Sequence, residues 1–138
     1  MSRPPGGPTG AQVLARVLGW RRFWQLAALV TLGLVAWLSL TPSPPQIRRA
    51  PPELAYLVHV LMHFGIGLTL LLAAGPRRRR RRLAFALMAG LVVGLEFAQT
   101  RVPHRSFDPA DMAANALGAL AATLVVHTLA RRARSLRS

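Results

Sequence analysis

The residues able to do chemistry in this chain are few, and most lie within or beside apolar sequence. His59 and His63 stand four apart, Glu96 and Gln99 three apart, and Asp111, Asn115 and Gly118 follow at four and three. On a helix each set falls on one face, and Gly67 continues the histidine stripe by one turn. Arg105 and Asp108 occupy the short polar stretch between Glu96 and Asp111. An ionisable group in hydrocarbon costs about 2.5–3.5 kcal/mol on insertion scales, so each of these side chains calls for a partner or a function.

Three kinds of chemistry fit. His59-x-x-x-His63 has the spacing of two metal ligands on a helix, with Glu96 or Asp111 as a third, but no HExxH-type base accompanies it, and histidines hydrogen-bonded in a polar pocket fit better than a metal. His63 or Glu96 has the character of a general base, with Arg105 stabilising a developing oxyanion, although Ser106 is the one nucleophile within the motif. Arg105 is placed to pair with Glu96 or Asp108, or, with the adjacent helix N-terminus, to hold a phosphate or carboxylate.

The elements that must position these groups are read from hydropathy. Of 138 residues 52% are hydrophobic, too many for an ordinary soluble chain of this size. They cluster in four runs, Phe23–Leu40, Leu54–Ala74, Leu83–Thr100 and Met112–Leu129, which contain no Arg or Lys. Each is about long enough to cross the ~30 Å hydrocarbon core as a helix. All eleven prolines lie outside the runs, as expected of residues that remove a backbone donor. The fold class is therefore all-α: a polytopic membrane protein built as a four-transmembrane-helix bundle. It divides into a tail, partly disordered, over 1–22, a transmembrane domain over 23–130, and a basic tail over 131–138.

A net charge of +14 raises the question of nucleic acid, and its distribution answers against it. The eighteen basic residues are all arginine; counted by segment between the runs they number 4, 2, 6, 2 and 4, so alternate segments carry 14 and 4. This positive-inside pattern places both termini and the Arg77–Arg82 loop in the cytoplasm, and the pocket residues toward the outer face. Arg21-Arg22 before an apolar stretch has the outline of a signal peptide, but the run is long and Ser39-Leu40-Thr41 is a poor cleavage site, so it is read as a span. There is no cysteine, hence no thiolate chemistry.

Finer features follow. The first twelve residues, rich in Pro and Gly, read as disordered, and Ala11–Arg22 as a short interfacial helix. The connection Thr41–Glu53 is proline-rich and extended. The six arginines act as a stop signal, with anionic lipid head groups as the sharper alternative. Asp108-Pro109-Ala110-Asp111 supplies an N-cap, a proline at the first helical position and an acid at the third, so the last helix starts there. Gly90-x-x-x-Gly94 and Ala114-x-x-x-Gly118-x-x-x-Ala122 read as packing ridges. His127 falls near the inner end of the last helix. At ~1.5 Å rise per residue, Glu96 and Asn115 lie roughly 6 Å and His63 roughly 13 Å below the outer ends of their helices, which predicts a pocket floored near His63.

The segment Glu96-Phe-Ala-Gln99-Thr-Arg-Val-Pro103-His-Arg105-Ser106-Phe-Asp108-Pro-Ala-Asp111-Met-Ala-Ala-Asn115-Ala-Leu-Gly118 resembles the VanZ-like signature, which runs E-x-x-Q, P-x-R-S, D-x-x-x-N-x-x-G. His63-Phe64 matches the family's H-F pair, and the resemblance spans Leu54 to Val126. Departures are His59-Val60 where members commonly carry Asp-Lys, His104 in place of a glycine, and Ala122 in place of a second glycine; any role needing a lysine charge would fall to His59. The resemblance implies a bacterial inner-membrane protein, and its namesake is associated with glycopeptide resistance, specifically to teicoplanin. The expected function is binding of a lipid-linked or peptidoglycan-related anionic component of the cell envelope, with membrane lipids as partners and no cofactor. The candidate pocket comprises His59, His63, Glu96, Gln99, Arg105, Asp108, Asp111 and Asn115. An intramembrane acid-base enzyme, and a structural protein whose polar stripes only set helix register, are the alternatives.

Overall fold

A computed structural model describes residues 10–42, 51–103 and 105–135. The expectations for residues 1–9 and for most of the Thr41–Glu53 connection lie outside the described residues. Among those described there are five helices and no strand: α1 Gly10–Gly19, α2 Arg21–Leu40, α3 Pro52–Ala74, α4 Arg78–Gln99 and α5 Pro109–Ser135. The last four are each long and apolar enough to cross a membrane.

Local chemistry sets the helix boundaries. Pro52 and Pro109 open α3 and α5, where a missing N–H costs nothing. Gly75 ends α3 in the left-handed region at φ 63°, followed by Pro76. α4 then begins at Arg78, so the arginine run is not the loop that hydropathy suggested; the connection is only Gly75-Pro76-Arg77, and five arginines form the first turns of the helix. Solvated arginines are good helix formers, and a hydropathy reading registers only where they become apolar. α1 stops at Gly19, before Arg21 and Arg22, which open α2. The Trp24 indole donates to the Val17 carbonyl at 2.9 Å, tying α1 back to the first span.

α3 is the hub. It shares its most extensive interface with α5, a smaller one with α2, and a lighter one with α4. Gly118 is what permits the α3–α5 approach: a Cβ there would run into the Val60 carbonyl oxygen and lie 2.9 Å from the Phe64 nitrogen. One turn and a little further along, Gly67 faces Ala122, whose Cβ would be 2.8 Å from one added to the glycine. The Ala114/Gly118/Ala122 ridge is thus the packing seam expected of it. Gly90 and Gly94 are not: both are exposed, and a Cβ on either would meet nothing within 4 Å among the described residues.

The apolar core occupies the middle and the arginine end. Val35, Ile66 and Leu95 join α2, α3 and α4, and Leu71, Leu72, Ala84, Met88 and Val126 join α3, α4 and α5. Between α2 and α3 the hydroxyls of Thr31 and Thr69 are 3.0 Å apart, while Thr69 also donates back to the Gly65 carbonyl. Large apolar side chains such as Leu29, Trp37, Leu61, Phe97 and Leu120 cover the outside, an unsupportable surface in water and the expected one in lipid.

Candidate functional site

At the end of the bundle opposite the arginines, polar side chains of α3, α4 and α5 meet, with backbone carbonyls of α2 beside them. α5 supplies the organising feature, its N-terminus. The Asp108 carboxylate accepts from the Ala110 N–H at 2.8 Å, a side-chain cap as the sequence predicts. In a capping box the third helical residue would reach back to the cap's own N–H. Here that residue, Asp111, turns elsewhere, and the Asp108 N–H donates instead to Glu96 Oε1 at 2.9 Å. A carboxylate on α4 therefore completes the cap of α5.

Asp111, released from capping, faces His59 on α3: its Oδ2 lies 3.4 Å from Nε2. The other ring nitrogen of His59, Nδ1, donates to the Asn115 side-chain oxygen at 2.9 Å. Both nitrogens of His59 are thus engaged by α5 residues one turn apart, and the ring acts as a rung between the two helices. Gly118 makes this reach possible, because it brings the α3 backbone against α5 one turn below Asn115. Asn115 is 1% exposed and Glu96 0%, so neither depends on solvent.

Arg105 is placed differently from expectation. It does not pair with Glu96 or Asp108; among the described residues the ion pair within 4 Å is His59–Asp111. Its Nη2 donates to the carbonyls of Leu38 at 3.1 Å and Thr41 at 3.3 Å, at the C-terminus of α2. Those carbonyls lack intrahelical donors and carry the negative end of the helix dipole, so a guanidinium is a suitable partner. The sequence reading assigned α2 no part in this site. The signal it had was weak: Ser39, now buried, and Thr41 at the edge of the first run.

Several buried atoms have no hydrogen-bond partner among the described residues: His63 Nδ1 and Nε2, Glu96 Oε2 and Arg105 Nε. Burying a polar group without a hydrogen bond costs about 1–3 kcal/mol by protein mutational data. These atoms extend from the capped end down to mid-span, where His63 lies one turn below His59 and is 3% exposed. Gln99 is likewise buried at the end of α4. Of the eight predicted residues, five, His59, Glu96, Asp108, Asp111 and Asn115, are joined in two hydrogen-bonded or ion-paired sets sharing the α5 N-terminus. His63 stands below them without a hydrogen-bond partner among the described residues, and Arg105 is turned to α2. No three His, Asp or Glu side chains among the described residues converge as metal ligands would.

Neither the curated proteins nor the solved structures compared with the chain gave a match. A family comparison did: residues 23–130, all four spans, match the VanZ/LLP1 family. With its four apolar helices and a site assembled from the second to the last of them, this chain belongs to the VanZ/LLP1 family of membrane proteins.

Proposed function

We propose that the chain is a binding protein of the bacterial cytoplasmic membrane whose Asp111 end faces outward and receives the anionic group of a lipid-linked, peptidoglycan-related envelope component. The observation that carries this reading is the set of buried, unpartnered polar atoms on His63, Glu96 and Arg105 beside an otherwise satisfied network. The set mixes functions: Arg105 Nε–H is a donor, Glu96 Oε2 an acceptor, and a neutral His63 offers one of each. A phosphate oxygen answers the donors and a protonated phosphate oxygen answers Glu96. The 14-to-4 division of arginines supports cytoplasmic termini and an outward Asp111 end. A link to glycopeptide resistance rests on the family resemblance and is tested separately, by teicoplanin susceptibility of a strain with and without the chain.

The direct test is binding of a polyprenyl phosphate to the full chain in nanodiscs. Binding is expected to exceed that of the uncharged prenol at least tenfold, and Glu96→Gln, which keeps an acceptor for the Asp108 N–H, should remove that preference. Equal binding of phosphate and prenol would overturn the reading. Arg105→Ala is a poor probe, since it also releases the loop from α2. The fully unpartnered ring of His63 favours one rival, acid-base chemistry on the bound lipid. Conversion of a labelled lipid by the wild type but not by His63→Phe would establish it. No binding and no turnover would leave the polar stripes a structural role alone.

A further inference from the structure

A second polar feature lies at the opposite end and owes nothing to the site above. Arg78, Arg81, Arg82 and Phe85 occupy positions i, i+3, i+4 and i+7 of α4, hence one face, and with Thr123, Leu124 and His127 of α5 they line a groove of about 330 Å³. That volume lies within the range of ordinary ligand sites, roughly 300–1,000 Å³. The lining has two zones: three guanidinium groups and an imidazole toward the start of α4, then Phe85 and Leu124 in the direction of the apolar core.

The charge here has no acidic side chain nearby to balance it. The chain has four acidic residues, Glu53, Glu96, Asp108 and Asp111, and all belong to the other end of the bundle. Along α4 alone, Glu96 is roughly 22 Å from Arg81 at ~1.5 Å per residue. The arginines also sit at a helix N-terminus with no acid in the first turn, where positive charge opposes the dipole. Arg81 Nε is buried and has no hydrogen-bond partner among the described residues. A partner from outside the chain must therefore be anionic, reachable from the bilayer interface, and apolar beyond its head.

We propose that the groove between α4 and α5 binds one anionic phospholipid, its phosphate held by Arg78, Arg81 and Arg82 and the start of its acyl chain lying on Phe85 and Leu124. This differs from a diffuse attraction of the arginine run for a charged membrane, because Arg77 and Arg79 belong to the same run and do not line the groove.

The test is lipid retention by the full chain, measured by native mass spectrometry after exchange into nanodiscs holding phosphatidylglycerol and phosphatidylcholine. Wild type should keep one phosphatidylglycerol in preference to phosphatidylcholine, and excess inorganic phosphate should not displace it. Arg81→Ala with Arg82→Ala should lower retention about tenfold or more, from the usual contribution of each basic residue near a membrane surface. Arg77→Ala with Arg79→Ala, the same change in charge, should leave it within twofold. Equal losses from the two pairs would overturn the proposal in favour of diffuse attraction, and displacement by inorganic phosphate would reduce it to an anion site without a lipid. If the first pair prevents folding, Leu124→Trp, which fills the groove and keeps every charge, should lower retention in the same way; unchanged retention would overturn the proposal.

Discussion

The two ends of the bundle solve the same problem in opposite ways. At the Asp111 end the groups of the site are turned inward and satisfied mainly by neighbouring helices: Glu96 caps α5, Arg105 caps α2, and His59 joins Asp111 to Asn115. At the arginine end the charges line a surface groove, and the Asp and Glu side chains of the chain all lie at the other end. Internal pairing needs backbones close enough for short side chains to meet, which Gly118 supplies between α3 and α5. A surface of unpaired guanidinium groups needs only water and lipid phosphate. The first arrangement fixes the relative position of helices; the second leaves charge available to the surroundings.

The largest test of this contrast is at the close contact itself. Gly118→Ala should destabilise the protein by about 3 kcal/mol, the upper end for overpacking, because the obstacle is α3 backbone that cannot rotate away. Gly90→Ala and Gly94→Ala, facing open space, should leave reversible unfolding in bicelles unchanged. Next in size, Glu96→Ala removes the acceptor of the Asp108 N–H and should cost about 2 kcal/mol, the desolvation penalty of a stranded buried donor. Glu96→Gln should recover most of that loss, and failure to recover would mean the carboxylate charge, rather than its hydrogen bond, holds α4 to α5.

Arg105→Ala should cost about 1 kcal/mol through the lost α2 carbonyl contacts, whereas Arg79→Ala, exposed at the other end, should not move the unfolding midpoint. Similar losses at both positions would erase the distinction between the ends. The smallest effect is the most specific. A double-mutant cycle between His59→Ala and Asn115→Ala should give a coupling of about 0.6 kcal/mol, typical of a side-chain hydrogen bond between membrane helices. A coupling indistinguishable from zero would show that the His59 ring does not bridge the helices.

Much of this was written in the sequence. Apolar runs gave the four spans because a helix in hydrocarbon must be long and apolar, and Asp108-Pro109 gave the start of α5 because capping and proline act on a few neighbouring residues. The polar stripes on α3, α4 and α5 followed from helical periodicity alone. Even so, Gly90-x-x-x-Gly94 and Ala114-x-x-x-Gly118-x-x-x-Ala122 have the same small-residue spacing, and only one of them packs against a helix. Spacing states which residues share a face; it does not state which way the face turns.

Tertiary structure decided the rest. It chose partners for groups that had several within plausible reach: Glu96 took a backbone amide rather than a guanidinium, Arg105 took the carbonyls of α2, and the third residue of α5 left its capping role to pair with His59. Those choices depend on the rotation and separation of whole helices, which the sum of apolar contacts sets and no short segment encodes. The sequence therefore determined the spans, their caps and the inventory of polar groups, since each is a matter of local chemistry. Packing determined the bonds those groups make, since a hydrogen bond is decided within a few tenths of an ångström.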